Sequence, residues 1–109
     1  MILETAILSV KPGQGSAFEA TMNEARSLIA ATPGFQGIEV RPCVEKADRY
    51  LLLVWWNTLE DHTVGFRQSE RYQEWRNALH HFYDPFPLVE HYGPPIWADF
   101  VAENPKRGA

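Results

Sequence analysis

Residues Leu51-Leu52-Leu53-Val54-Trp55-Trp56 form an unbroken apolar run. A strand sends successive side chains to opposite faces, so this segment is apolar on both. A strand with one wet face would alternate polar and apolar residues. This one needs cover above and below. Any fold the chain adopts must place the segment centrally in a sheet, between two layers.

The rest of the sequence supplies the first layer. Residues 2–10 read as a strand, with Ile2, Glu4, Ala6, Leu8 and Val10 on one face and Leu3, Thr5, Ile7 and Ser9 on the other. Lys11-Pro12-Gly13-Gln14-Gly15 is a turn. Ser16 stands three before Glu19, the spacing of a capping box, and Phe18, Met22, Ala25 and Ile29 follow as one apolar helical stripe. Thr32-Pro33-Gly34 ends that helix. Phe35 to about Val44 reads as a second strand, in which Pro42 marks an edge or a bulge. After the third strand, Thr58 and Asp61 are spaced to cap a helix whose Leu59, His62 and Phe66 share the sheet-facing side. Gly65 and Ser69 predict a break. A further helical stretch from about Glu70 turns Tyr72, Trp75, Leu79 and Phe82 or Tyr83 inward. Asp84-Pro85-Phe86-Pro87 is a stiff loop, Leu88–Tyr92 a short fourth strand, and Gly93-Pro94-Pro95 its end. Residues 1–96 make one domain, and residues 97–109 a C-terminal extension expected to be partly disordered.

The order β, α, β, β, α, β is the ferredoxin-like α+β sandwich, with two helices on one sheet face. The other face would then expose a large apolar patch. A second copy, related by a two-fold axis, is the simplest cover, so the chain is expected to form a homodimer through its open sheet face. The alternative cover is the chain's own tail, with Trp97 and Phe100.

Charge and cysteine content narrow the partners. The net charge of −4 comes with no basic stripe, which argues against nucleic acid and against an anionic membrane surface. A single cysteine, Cys43, allows no internal disulfide, and no leader or membrane-length apolar run is visible. A cytoplasmic protein is the expectation.

Few residues suggest chemistry. Gly13-Gln14-Gly15 between a strand and a helix lacks the third glycine of a dinucleotide loop, because Phe18 stands there, and reads as a turn. His62, His80, His81 and His91 form no recognised metal pair, and no Cys or carboxylate completes a ligand set, so no metal is expected. Cys43 has no adjacent base, and no GxSxG context is present. His62 stands out as an imidazole on an inward face. It is either hydrogen-bonded packing or a titratable group at a pocket. Trp55, Trp56, Asn57, Tyr72, Trp75 and Arg76 could approach the same space between helices and sheet. Aromatic walls with a few polar points are the usual form of a small-molecule site, although Tyr72, Trp75 and Leu79 at helical spacing also suit plain core.

Several segments together resemble the antibiotic biosynthesis monooxygenase family of the dimeric α+β barrel superfamily. They are Lys11-Pro12-Gly13, Thr32-Pro33-Gly34-Phe35-Gln36-Gly37, Leu53-Val54-Trp55-Trp56-Asn57-Thr58-Leu59-Glu60, and Ser69 followed by Tyr72. The resemblance covers residues 1 to about 92. It implies a pocket in each protomer and, for some members, oxidation of quinols or anthrone-type polyphenols by O2 with no cofactor. Carried onto this chain, it makes His62 the proton acceptor or orienter. Trp55 or Trp56, Phe66, Tyr72 and Trp75 become walls, and Asn57 and Arg76 polar anchors for a small aromatic substrate. The first strand has no Asn of the kind the haem-degrading branch uses, so the resemblance points away from haem.

Overall fold

The computed structural model describes residues 1–100. The elements run β1 (Ile2–Ser9), α1 (Gly15–Ala30), β2 (Phe35–Pro42), β3 (Arg49–Trp56), a π-helical turn (Asp61–Phe66), α2 (Glu70–Leu79), a short 3-10 turn (His80–Phe82) and β4 (Val89–Tyr92). The sheet order is β2-β3-β1-β4, and every neighbouring pair is antiparallel. The two helices pack on one face in the ferredoxin-like arrangement. The apolar run of β3 lies at the centre, as its composition requires.

Register decides which side chains meet the helices. Glu4 stands opposite Val54 on one side and His91 on the other, and Ala6 stands opposite Leu52 and Val89. Glu4, Ala6, Leu8, Tyr50, Leu52, Val54 and Trp56 therefore share the helix-covered face, and all are buried. Phe18, Met22, Ala25 and Ile29 of α1 close over them, joined by Phe66, Trp75, Leu79 and Phe82. On the opposite face Leu3, Ile7, Leu51, Leu53 and Trp55 form an apolar surface, on which Ile7 is 55% and Leu51 37% exposed. Ile96 and Trp97 remain exposed, so the described part of the tail does not cover this face. The remainder of the extension, residues 101–109, lies outside the described residues.

Local details depart from expectation in three places. The Ser16–Glu19 capping box does not form, because α1 starts two residues earlier, at Gly15, and its cap residue Gln14 makes no side-chain bond. A Cβ at position 15 would press on the Asp48 carboxylate and the Tyr50 hydroxyl, so a larger residue there would have to displace both side-chain ends. Glu19 instead accepts the Tyr50 hydroxyl at 2.6 Å. β2 stops at Pro42 rather than Val44, and Val44 is exposed. Leu59 is partly outward, because the capped entry and the π-helical turn break the 3.6-residue spacing that would have aligned it with His62. The expected cap at Thr58 and Asp61 does form: each backbone N–H donates to the other's side chain, at 3.0 and 3.2 Å.

Candidate active site

Four elements bring their ends to one place beneath the helices. β1 carries Glu4 in the middle of its buried face, where it is 5% exposed. β3 ends on Trp56, fully buried, whose indole N–H donates to Glu4 Oε1 at 2.9 Å. The π-helical turn follows the Thr58–Asp61 cap. Its widened winding, with the Arg67 N–H donating to the His62 carbonyl, turns His62 onto the Trp56 ring, with centroids 5.4 Å apart and planes at 14°. β4 supplies His91 directly across the ladder from Glu4.

The imidazole of His62 lies between the other two groups. Its Nε2 is 3.4 Å from Glu4 Oε1, and its Nδ1 is 2.7 Å from His91 Nε2, so one of these two rings donates and the other accepts. The Glu4–His62 contact has the geometry of an ion pair without the charge of one. Burial raises the Glu4 carboxyl to about 7, against the opposing pull of the Trp56 hydrogen bond and the Arg67 guanidinium. Burial, then Arg67 and His91, lower His62 to about 3. Near neutrality His62 is therefore neutral, and Glu4 is divided between its acid and carboxylate forms. His91 and His80 are also lowered, each by burial first. Among the described residues no group of three or more His, Cys, Asp or Glu side chains is arranged to hold a metal ion.

A cavity of about 390 Å³ opens beside this set. Glu4, Ala6, Leu8 and Leu52 form its sheet side, and Phe66, Tyr72 and Trp75 its helical side. His80, Tyr83 and the Phe86–Val89 segment complete the wall, and Arg67 joins it from the chain just beyond the π-helical turn. The volume is that of a small-molecule pocket. A second depression, of about 350 Å³, lies between α1 and β2 and has no histidine in its walls.

Of the residues the sequence singled out, His62, Phe66, Tyr72 and Trp75 line this cavity. Trp56 stands behind it, stacked on His62 and bonded to Glu4. Three are elsewhere. Trp55 lies on the open sheet face, because neighbours along a strand point oppositely. Asn57 is exposed past the end of β3, where its N–H donates to the Gly34 carbonyl. Arg76 is exposed on α2 and donates to Gln73 Oε1 at 2.6 Å. Glu4, His91 and Arg67 were not anticipated. One signal was readable for Glu4, a carboxylate on the otherwise apolar face of β1. His91 had none, since only the strand register brings it opposite Glu4.

Comparison with known proteins agrees with this architecture. The sequence profile of the family described as antibiotic biosynthesis monooxygenase matches residues 1–78. The uncharacterized protein YczJ of Bacillus subtilis is 47% identical over 92 residues, covering 84% of this chain and 97% of its own length. A crystal structure described as a putative antibiotic biosynthesis monooxygenase from Bordetella bronchiseptica superposes with a TM-score of 0.82 at 36% identity, over 87% of this chain and 97% of its own. The monooxygenase ActVA-Orf6 of Streptomyces coelicolor, solved with nanaomycin D, shares the fold with a TM-score of 0.78 at 17% identity, over 93% of this chain and 92% of its own.

Proposed function

This chain belongs to the antibiotic biosynthesis monooxygenase family, and from that premise we propose that it oxidises a small aromatic, quinol-type substrate with O2, using no cofactor. One observation carries the proposal: an aromatic-walled cavity whose floor holds a buried carboxyl–imidazole pair. An electron-rich phenol gives up an electron to O2 far more readily once it is ionised. The protein then has to accept a proton, exclude water and steady the anion. For an anthrone-type substrate the reaction balances without further reactants: a ring CH2 and O2 give a ring carbonyl and water. Phe66, Tyr72 and Trp75 serve as walls, and Trp56 backs them. His62, held through Nδ1 by His91 and lying 3.4 Å from Glu4, serves as orienter of the carboxyl rather than as the acceptor. The working unit is a homodimer joined through the Leu51, Leu53 and Trp55 face, in a cytoplasm that suits the free thiol of Cys43.

The test is O2 uptake by the metal-stripped protein with a panel of quinols and anthrones. Uptake is expected with at least one of them, and a loss of about 100-fold or more in His62→Ala that keeps its fold. Tight binding with no uptake would make the chain a ligand carrier instead.

A further inference from the structure

The ring of His62 is held from both sides: its Nδ1 is paired with His91 Nε2 at 2.7 Å, and its Nε2 faces Glu4 Oε1 at 3.4 Å, a close contact rather than a hydrogen bond. Glu4 Oε1 in turn accepts the Trp56 indole N–H. Among the described residues nothing hydrogen-bonds Glu4 Oε2, and that oxygen is not sealed away from open space. Glu4 is itself part of the cavity wall. His91, at the far end of the chain of contacts, is half-buried on the edge strand β4 and within reach of solvent.

We propose that Glu4 is the base of this site: its Oε2 takes the hydroxyl proton of a phenol bound in the cavity, and the His62–His91 pair carries protons between Glu4 and the surface. The inference rests on the reading above in taking a phenol as the substrate class. The step balances. The phenol O–H bond breaks, its electron pair stays on the phenol oxygen, and an O–H bond forms on Glu4, leaving a phenolate and a neutral acid. The neutral carboxyl then turns so that its O–H points at His62 Nε2; Glu4 yields that proton to Nε2 as His62 Nδ1 releases one to His91 Nε2, and His91 releases one to water from Nδ1. Passing the proton through both rings together avoids a lasting imidazolium beside Trp56. The groups that face Glu4 are His62 from the π-helical turn, His91 from β4 and Arg67 from the chain before α2. Across the cavity stand Tyr72, His80 and Tyr83, while α1 presents only Ile29 to it. Arg67 makes no ion pair or hydrogen bond through its guanidinium among the described residues, which leaves it free to hold the phenolate. A carboxyl that titrates near neutrality is matched to this work, whereas His62 is far too weak a base for it.

The probe is 2-naphthol, which becomes a strong acid when excited and emits as naphtholate when a base lies within hydrogen-bond reach. Bound to the wild-type protein, its emission is expected to change from naphthol to naphtholate as pH rises through about 7. Glu4→Gln is expected to emit as naphthol throughout, and His62→Gln to keep naphtholate emission. Infrared spectra of the wild type should show a carboxylic acid band that disappears over the same range, a measurement that needs no variant. After a light flash, release of the proton to a pH indicator in bulk water is expected to slow about tenfold or more in His91→Phe. Naphtholate emission that survives Glu4→Gln, a missing infrared band, unchanged release in His91→Phe, or failure of 2-naphthol to bind would each overturn the proposal. Absence of O2 uptake with every quinol would sink the monooxygenase reading and leave all of these signals as they are.

Discussion

Glu4 and His62 oppose each other in their effect on stability. Glu4 is raised from 4.5 to about 7, so the fold favours its protonated form, and its contribution is lost as pH climbs between those values. His62 is lowered from 6.5 to about 3, so the fold favours its neutral form, and its contribution is lost as pH drops through that interval. Between about 4.5 and about 6.5 the two slopes cancel. Replacing His62 with Gln leaves only the Glu4 slope. Urea unfolding of the variant is then expected to show stability falling by about 3 kcal/mol from pH 4.5 to 7, while the wild type, in which His62 offsets most of the Glu4 slope, stays nearly level. Equal pH slopes in the two proteins would contradict the assignment. His62 was legible in the sequence as a polar residue at inward helical spacing. Glu4 was legible only as an anomaly, since nothing local distinguishes a buried carboxyl from one that points outward at a sheet edge.

Among the elements, the segment between β3 and α2 does most to aim the site. It carries two caps, the reciprocal Thr58–Asp61 pair and Ser69, whose hydroxyl oxygen accepts the Tyr72 N–H at 3.2 Å. Ser69→Ala is expected to cost about 1 kcal/mol in chemical unfolding. A larger effect belongs to Gly34, which adopts φ +90° and whose Cβ position is filled by the Asp61 carboxylate. Gly34→Ala is expected to cost more than about 1 kcal/mol and, by pushing Asp61 off its cap, to disturb the His62 ring. Loss of the wild-type His62–His91 coupling in imidazole NMR spectra would report that disturbance. An unchanged imidazole spectrum in the Gly34→Ala variant would detach the cap from the site. Both caps follow spacing rules that sequence reading uses well. The π-helical turn does not, and Leu59, which regular helical spacing places inward beside His62, is 39% exposed.

For the whole molecule, the two faces of β3 predict different failures. Leu52 and Trp56 are buried under this chain's own helices, so Leu52→Asp or Trp56→Asp places a charge in the core and is expected to cost several kcal/mol, about 3 or more. Leu53 and Trp55 face the other way, on the surface assigned to the partner. Leu53→Glu is expected to leave a folded protein that sediments as a single chain. A wild type that is already monomeric at working concentration, with circular dichroism and melting unchanged in Leu53→Glu, would remove the dimer. The six-residue apolar run made this two-sided demand visible at once, and the ferredoxin-like order followed from element types alone. What stayed hidden was distance along the chain. His91 meets Glu4 only because β4, four residues long, lies in one register against β1, and a slip of one position would turn its imidazole away from the cavity altogether. The family profile ends at residue 78, thirteen positions before that histidine. Kinship judged over the matched stretch alone is therefore no warrant for shared acid–base behaviour, and a chimera that keeps residues 1–78 but takes its final strand from elsewhere would retain the proposed outlet only if that strand set a histidine of its own opposite Glu4.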